Sequence, residues 1–151
     1  GFYAGDAGLV HYLSEVRKHA GLMVPGPVQA AARAALEDDG HVAEQRERYR
    51  RRLDRLARAL VASGLEATPP HGGFYLWVPV PAWATERGTT EGRSGAWVLT
   101  EALARTAGML VSPGEFYGAD GFVRIALTVP DERLELVIER LDVLGELRLA
   151  G

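Results

Sequence analysis

The sequence predicts an α/β fold: three helices first, then a small sheet layered on helices, so that the second half is α+β in character. Three observations predict it. Val42, Tyr49, Leu53, Leu56 and Leu60 recur at helical spacing across 41–63, with charge on the remaining face. Two short segments alternate with period two instead: in 74–80, Phe74, Leu76, Val78 and Val80 share a face, and in 122–127, Val123, Ile125 and Leu127 share one while Phe122, Arg124 and Ala126 share the other. Caps, glycines and prolines punctuate the chain in the order helix, helix, long helix, strand, helix, strand, strand, helix. That order fits a small antiparallel or mixed sheet packed on helices, with the long helix joining the two parts and no internal repeat.

Taken in order, Asp6 can cap a helix whose apolar side is Leu9, Leu13 and Val16, and Gly21 is placed to end it. Pro25 and Pro27 force an extended approach to an alanine-rich helix through Leu36, with Pro27 in its first turn. Residues 37–40, EDDG, read as a polar break before the helix at 41–63, which Gly64 stops. After the turn EATPPHGG comes the strand FYLWVPV, whose Pro79 and Pro81 exclude a central, fully paired end. The stretch TERGTTEGRSG, 85–95, is rich in Gly and Thr without periodicity and reads as flexible. Ser94 can cap a helix carrying Trp97, Val98 and Leu103, closed by Gly108. MLVSPG then reads as a short strand entering a turn and FYGADG as a loop before the strand at 122. Thr128 with Asp131 resembles a capping box, with Pro130 in the first turn of a helix that buries Leu134, Val137, Ile138, Leu141 and Leu144.

The bulk numbers narrow the function classes. At 151 residues, 47% hydrophobic and 25% charged, the chain has the size and balance of one globular domain, and its net charge of -3 argues against a general polyanion binder. No apolar run approaches the roughly 20 residues of a membrane helix. With no cysteine there is no disulfide framework or thiolate site, which fits a reducing cytoplasm. The opening GFYAGD reads as a strand and turn caught in mid-element, so the chain is expected to be a piece of something longer.

Candidate chemistry is sparse. Seven arginines between Arg46 and Arg58 are interleaved with Glu44, Glu47 and Asp54 and lack an aromatic stacking set, which favours a salt-bridged helix face over a nucleic-acid helix. His11, His19, His41 and His71 form no metal-ligand spacing. There is no nucleophile elbow, Walker loop or dinucleotide fingerprint. What remains is two glycine-bearing turns beside strands, HGGFYLW and SPGEFYG, and the arginine at 124. Glycine lets a ligand approach the backbone, Phe74 and Phe116 can supply apolar walls, and Arg124 a planar fork that matches a carboxylate. The other reading is an ordinary amphipathic strand, because an exposed arginine costs almost nothing.

Four segments, GFYAGD, KHAGLMVPGPVQAAARAAL, HGGFYLWVPV and GMLVSPGEFYGADGFVRIALTVPDERL, stand in the order and spacing of the class I/II, fold-type I aminotransferases, which the chain resembles over almost its whole length. The combination of GLMVPGPVQ with FYG, VRIALT and DERL is most similar to bacterial succinyldiaminopimelate aminotransferases. The resemblance implies a pyridoxal 5'-phosphate enzyme moving an amino group between N-succinyl-LL-diaminopimelate and 2-oxoglutarate in lysine and diaminopimelate synthesis, cytoplasmic and homodimeric when full length, without nucleic-acid or membrane partners. It makes Arg124 the clamp for the substrate α-carboxylate, Gly73 and Phe74 part of the pocket wall, and the turn bearing Phe116 the loop over the substrate. Leu22, Met23 and Val24 match a stretch that reaches toward the neighbouring subunit's cofactor.

The departures matter equally. In that family the Schiff-base lysine, a phosphate-binding arginine and the aspartate at the pyridine nitrogen precede the segment matched here. Lys18, the single lysine of this sequence, is not in the Ser-Lys motif. The resemblance therefore implies the C-terminal part of such an enzyme: 1–40 as the end of the large cofactor-binding domain, 41–63 as the connecting helix and 64–151 as the small domain. No catalytic residue is expected in this chain, which by itself should be inactive and without bound cofactor, its partner being the missing N-terminal part. The alternative is a stand-alone α/β module that binds an amino acid through Arg124 without catalysis.

Overall fold

The computed structural model describes residues 2–147, with side chains described through residue 141. It divides into two compact units, Gly1–Ala43 and Glu44–Gly151, with the division inside the long helix.

The first unit holds α1 (Ala7–His19) and α2 (Gly26–Leu36). Asp6 caps α1, its carboxylate accepting from the Leu9 N–H at 3.0 Å, and Gly21 ends it at φ 72, where the Leu22 N–H returns to the Arg17 carbonyl. Pro25 stands at the N-cap of α2 with Pro27 in its first turn. Neither helix has a buried residue, so the predicted stripe of Leu9, Leu13 and Val16 lies exposed. The polar break before the next helix is shorter than EDDG. That helix, α3 (Asp39–Ala62), starts two residues earlier than the periodicity shows, because the Asp38 carboxylate accepts from the N–H groups of Gly40 and His41.

The second unit continues α3 and adds β1 (Tyr75–Pro79), α4 (Ala82–Glu91), α5 (Gly95–Ala107), β2 (Ser112–Pro113), a 3-10 turn at Gly114–Tyr117, β3 (Phe122–Ala126) and α6 (Asp131–Leu147). The sheet is antiparallel in the order β1-β3-β2. Its inner face presents Leu76, Val78, Val123 and Ile125, which pack with Leu53, Leu56 and Leu60 of α3, Leu99 and Leu103 of α5, and Leu134 and Leu141 of α6 in one core. Val137 and Ile138 are partly buried against it, and the side chain of Leu144 lies outside the described residues. Between α3 and α6, Arg52 pairs with Asp131 at 2.6 Å and Arg55 with Glu135.

Three elements differ from expectation. The stretch at 85–95 is not flexible, since most of it is α4. Its glycine is a packing residue: a Cβ on Gly88 would stand 2.6 Å from the Arg93 carbonyl and 2.9 Å from the Gly95 nitrogen. The threonines that suggest a loop bond back along the helix, Thr89 to the Thr85 carbonyl and Thr90 to that of Glu86. The strand read at 109–114 shrinks to two residues, because Pro113 brings no N–H and Gly114 already turns into the 3-10 segment. At the start of α6, the Pro130 carbonyl accepts from the N–H groups of Arg133 and Leu134, so Pro130 precedes the helix and Thr128 does not cap it.

Candidate anion-binding site on the outer face of the sheet

With Val123 and Ile125 committed to the core, the two-residue period of β3 turns Arg124 to the opposite face. The register sets Trp77 of β1 directly opposite it on one side and Ser112 of β2 on the other. Tyr75, one step along β1 on the same face, lies with its ring centroid 4.3 Å from the Arg124 Cζ, and Tyr117 with its centroid 4.0 Å away. No ring contact joins these two tyrosines among the described residues, so each meets the guanidinium separately. Trp77 braces the arrangement with its ring edge-on to Tyr117 at 5.7 Å and to Phe122 at 6.3 Å.

Tyr117 reaches the arginine because its turn is tightly folded. A Cβ on Gly114 would stand 2.0 Å from the Ala119 carbonyl oxygen and 2.6 Å from that of Phe122, so only glycine fits against the start of β3. The Ala119 N–H donates to the Gly114 carbonyl at 2.9 Å, and Gly118 closes the turn at φ 71.

The electrostatics are lopsided. Arg50 is held by Glu47 and Asp54, and Arg93 by Glu91 and Glu101, and Arg52 and Arg55 reach α6 as described. The arginine-rich helix is thus salt-bridged along much of its length, as its interleaved acids predict. These contacts hold their carboxyls below the ordinary carboxylate pKa: the hydrogen bond from Arg50 does so for Glu47, that from Arg52 for Asp131 and that from Arg55 for Glu135. Arg124 has no carboxylate partner among the described residues, and its Nε is buried without a hydrogen bond. A desolvated donor on an uncompensated cation is costly to leave unmade, and a planar carboxylate is the group that best satisfies it. The same turn holds a second buried, unpartnered atom, Glu115 Oε1.

The residues singled out from the sequence take different places in the structure. The Phe74 ring lies tilted, 4.4 Å from Tyr75 and 5.4 Å from Tyr49, and so meets the tyrosine that lies against the arginine. Gly73 takes φ 83 with open space where a Cβ would be, so it serves the turn. Phe116 is 64% exposed and meets Trp97 edge-on at 5.8 Å; its neighbour Tyr117 covers Arg124. Met23 and Val24, in the first unit, are exposed between α1 and α2. Tyr75 and Tyr117 went unnoticed in the sequence. For Tyr75 a signal existed, since assigning Leu76 and Val78 to the core leaves Tyr75 on the face of the arginine, but pairing β1 with β3 was needed to bring them together.

Lys18 does not make a cofactor site. It is exposed near the end of α1 and paired with Glu15 at 3.5 Å. Among the described residues no cluster of three or more His, Cys, Asp or Glu could hold a metal, and no helix is long and apolar enough to cross a membrane.

The family described as Aminotransferase class I and II matches residues 1–141. A probable aminotransferase of Mycobacterium tuberculosis is 45% identical over 143 residues, covering 93% of this chain and 31% of the relative. A 4-dedimethylamino-4-oxo-anhydrotetracycline transaminase of Streptomyces rimosus is 44% identical, covering 93% and 36%, and an LL-diaminopimelate aminotransferase of Dehalococcoides mccartyi is 38% identical, covering 93% and 34%. Among solved structures, an aromatic aminotransferase from Pyrococcus horikoshii aligns with a TM-score of 0.78 at 25% identity over 98% of this chain and 39% of that one. The chain thus spans about a third of the length of the curated relatives it matches.

Proposed function

Because the chain belongs to the class I and II aminotransferases, a pyridoxal-phosphate-dependent family, we propose that it supplies the substrate-carboxylate arm of a transaminase. Arg124 holds the α-carboxylate of the amino-acid donor and, in the second half-reaction, that of the oxo-acid acceptor. One observation carries this reading: among the described residues Arg124 is the arginine whose Nε is buried and unpartnered, and no carboxylate pairs with it. A fixed, planar, bidentate donor suits a ligand present in both half-reactions, and it orients the bond at the α-carbon relative to the proton-transfer group. That proton-transfer group is not Lys18, whose surroundings do not fit the cofactor, so the role of these residues is to bind and orient.

In this reading, residues 1–40 close the large cofactor-binding domain, 41–63 connect, and 64–151 form the small domain. Met23 and Val24, exposed on the first unit, face a second subunit's cofactor in a homodimer. The donor is an amino acid of the diaminopimelate class, with 2-oxoglutarate as acceptor; the relatives named for diaminopimelate support the class, and the motif combination supports the N-succinylated form. A panel of succinylated diaminopimelate, free diaminopimelate and an aromatic amino acid, each with 2-oxoglutarate, decides among these donors by kcat/KM. Arg124→Ala in the enzyme that carries this chain lowers kcat/KM by about two orders of magnitude or more. Wild-type kinetics in that variant would refute the assignment.

A further inference from the structure

Arg124 is held between two tyrosines that come from different parts of the chain, and nothing in carboxylate recognition itself requires either. We infer that Tyr75 and Tyr117 are positioning residues: their rings fix the guanidinium plane so that its free edge, and not its faces, meets the ligand. This inference rests on the reading of Arg124 as the carboxylate site.

Both ring centroids lie within 4.3 Å of Cζ, which is close stacking for a cation on an aromatic face. A long arginine on a solvent-facing strand position would otherwise sample many rotamers, and a ligand would have to freeze them. Two rings this close to Cζ narrow the directions from which water and competing anions reach the guanidinium. The two covers have independent supports. Tyr75 is fixed by the β1–β3 register and by Phe74, and Tyr117 by the turn packed on Gly114 and by Trp77. No acidic side chain shares the role among the described residues: the guanidinium is oriented by π faces, which hold it without neutralising the charge the ligand needs.

A device of this kind acts on ground state and transition state alike, because the carboxylate does not change in the reaction. Its loss therefore shows in KM and leaves kcat nearly unchanged. The test uses Tyr75→Leu, Tyr117→Leu, the corresponding Phe variants and Arg124→Lys in the holoenzyme. It measures KM and kcat for donor and acceptor, and the calorimetric Kd of glutarate as a non-reacting carboxylate. Each Leu variant is expected to raise both KM values and the glutarate Kd about tenfold, with kcat within about twofold, the loss of one stacked face. Each Phe variant keeps the π face and returns these values to within about twofold of wild type. Arg124→Lys keeps the charge, loses the fork and exceeds the Leu variants in its effect. Unchanged KM and Kd in both Leu variants overturn the inference, as do Phe variants as defective as Leu, or a defect confined to kcat. If Arg124→Lys also behaves as wild type, the carboxylate reading itself has failed; if it is impaired while the Leu variants are normal, only the positioning role falls.

Discussion

Replacing Gly114 by alanine should damage both the fold and the site, by an amount the geometry sets. The added Cβ would stand 2.0 Å from the Ala119 carbonyl oxygen and 2.6 Å from the Phe122 carbonyl oxygen. Both are backbone atoms, and ordinary contact requires about 3.4 Å or more, so the turn must move bodily by more than an ångström. The Ala119 N–H to Gly114 carbonyl bond and the Phe122 N–H to Ala119 carbonyl bond, at 2.9 and 3.1 Å, lie in the path of that movement. Overpacking of this kind costs about 1–3 kcal/mol, and one lost backbone bond adds about 1 kcal/mol. A total of about 2–4 kcal/mol, divided by a urea slope near 2 kcal/mol/M, lowers the unfolding midpoint by about 1–2 M. Urea titration of the 151-residue chain, followed by circular dichroism, reads it. Gly72→Ala is the control, because a Cβ there meets nothing within 4 Å, and its effect should stay within about 0.5 kcal/mol. The same displacement lifts Tyr117 away from Arg124, so KM for the amino donor rises in step with the loss of stability. An unchanged midpoint in Gly114→Ala would show that the turn does not pack as described, and would remove the support for Tyr117 over the arginine.

Two further outcomes can be checked on the same chain. Gly88→Ala forces apart α4 and the loop leading into α5 and should cost about 1–3 kcal/mol in urea unfolding, whereas a truly flexible segment would gain a few tenths from the same change. Asp131 and Glu135 are held below their ordinary values of 3.8 and 4.5, chiefly by hydrogen bonds from Arg52 and Arg55. The folded state therefore binds fewer protons than the unfolded one in acid, and these two groups contribute stability that is full above pH 4.5 and is lost as pH falls below 3.8. The urea midpoints of wild type and of the Asp131→Asn, Glu135→Gln variant should differ at pH 7 and converge in that acid range; a constant difference would refute the pairing.

How legible these features were depended on whether the signal was local. Caps at Asp6 and Ser94, stops at Gly21, Gly64 and Gly108, and the inward faces of β1 and β3 are set by neighbours within a few residues, and the sequence shows them. Gly88 is the opposite case. In isolation, a glycine among threonines means a loose loop; in the fold it is the one residue small enough for the Arg93 carbonyl and the Gly95 nitrogen to approach. Its meaning depends on a partner segment that the pattern does not name. The same holds for β2, whose two residues pair with β3 only because β3 is already held by β1. For the site, alternation was enough to put Arg124 outside the core, but not to find what covers it. Phe116 was the natural choice of wall from composition, whereas the ring that lies against Arg124 is that of Tyr117, because the 3-10 turn rotates successive side chains by about a third of a circle.

The position of the arginine on a strand, not in a loop, has a consequence for how the site keeps its shape. A carboxylate clamp needs its nitrogens placed to within about half an ångström, which a strand paired on both sides provides and a free loop does not. The cost of that choice is that any acid on a neighbouring strand would neutralise the cation permanently. Here the cross-strand positions are Trp77 and Ser112, and the diagonal one is Tyr75, none of which carries charge. Twenty acidic residues are available in the chain, and several of those on α3, α4, α5 and α6, among them Glu47, Glu91, Glu101 and Asp131, pair with other arginines. The outer face of the sheet is thus kept free of carboxylates while rich in aromatic rings, which stabilise a cation without discharging it. An acid introduced opposite the arginine should damage the proposed site: Ser112→Asp adds a facing carboxylate that would compete with a substrate carboxylate for the same fork, so KM for the amino donor is expected to rise, while the buried side of the sheet is left untouched.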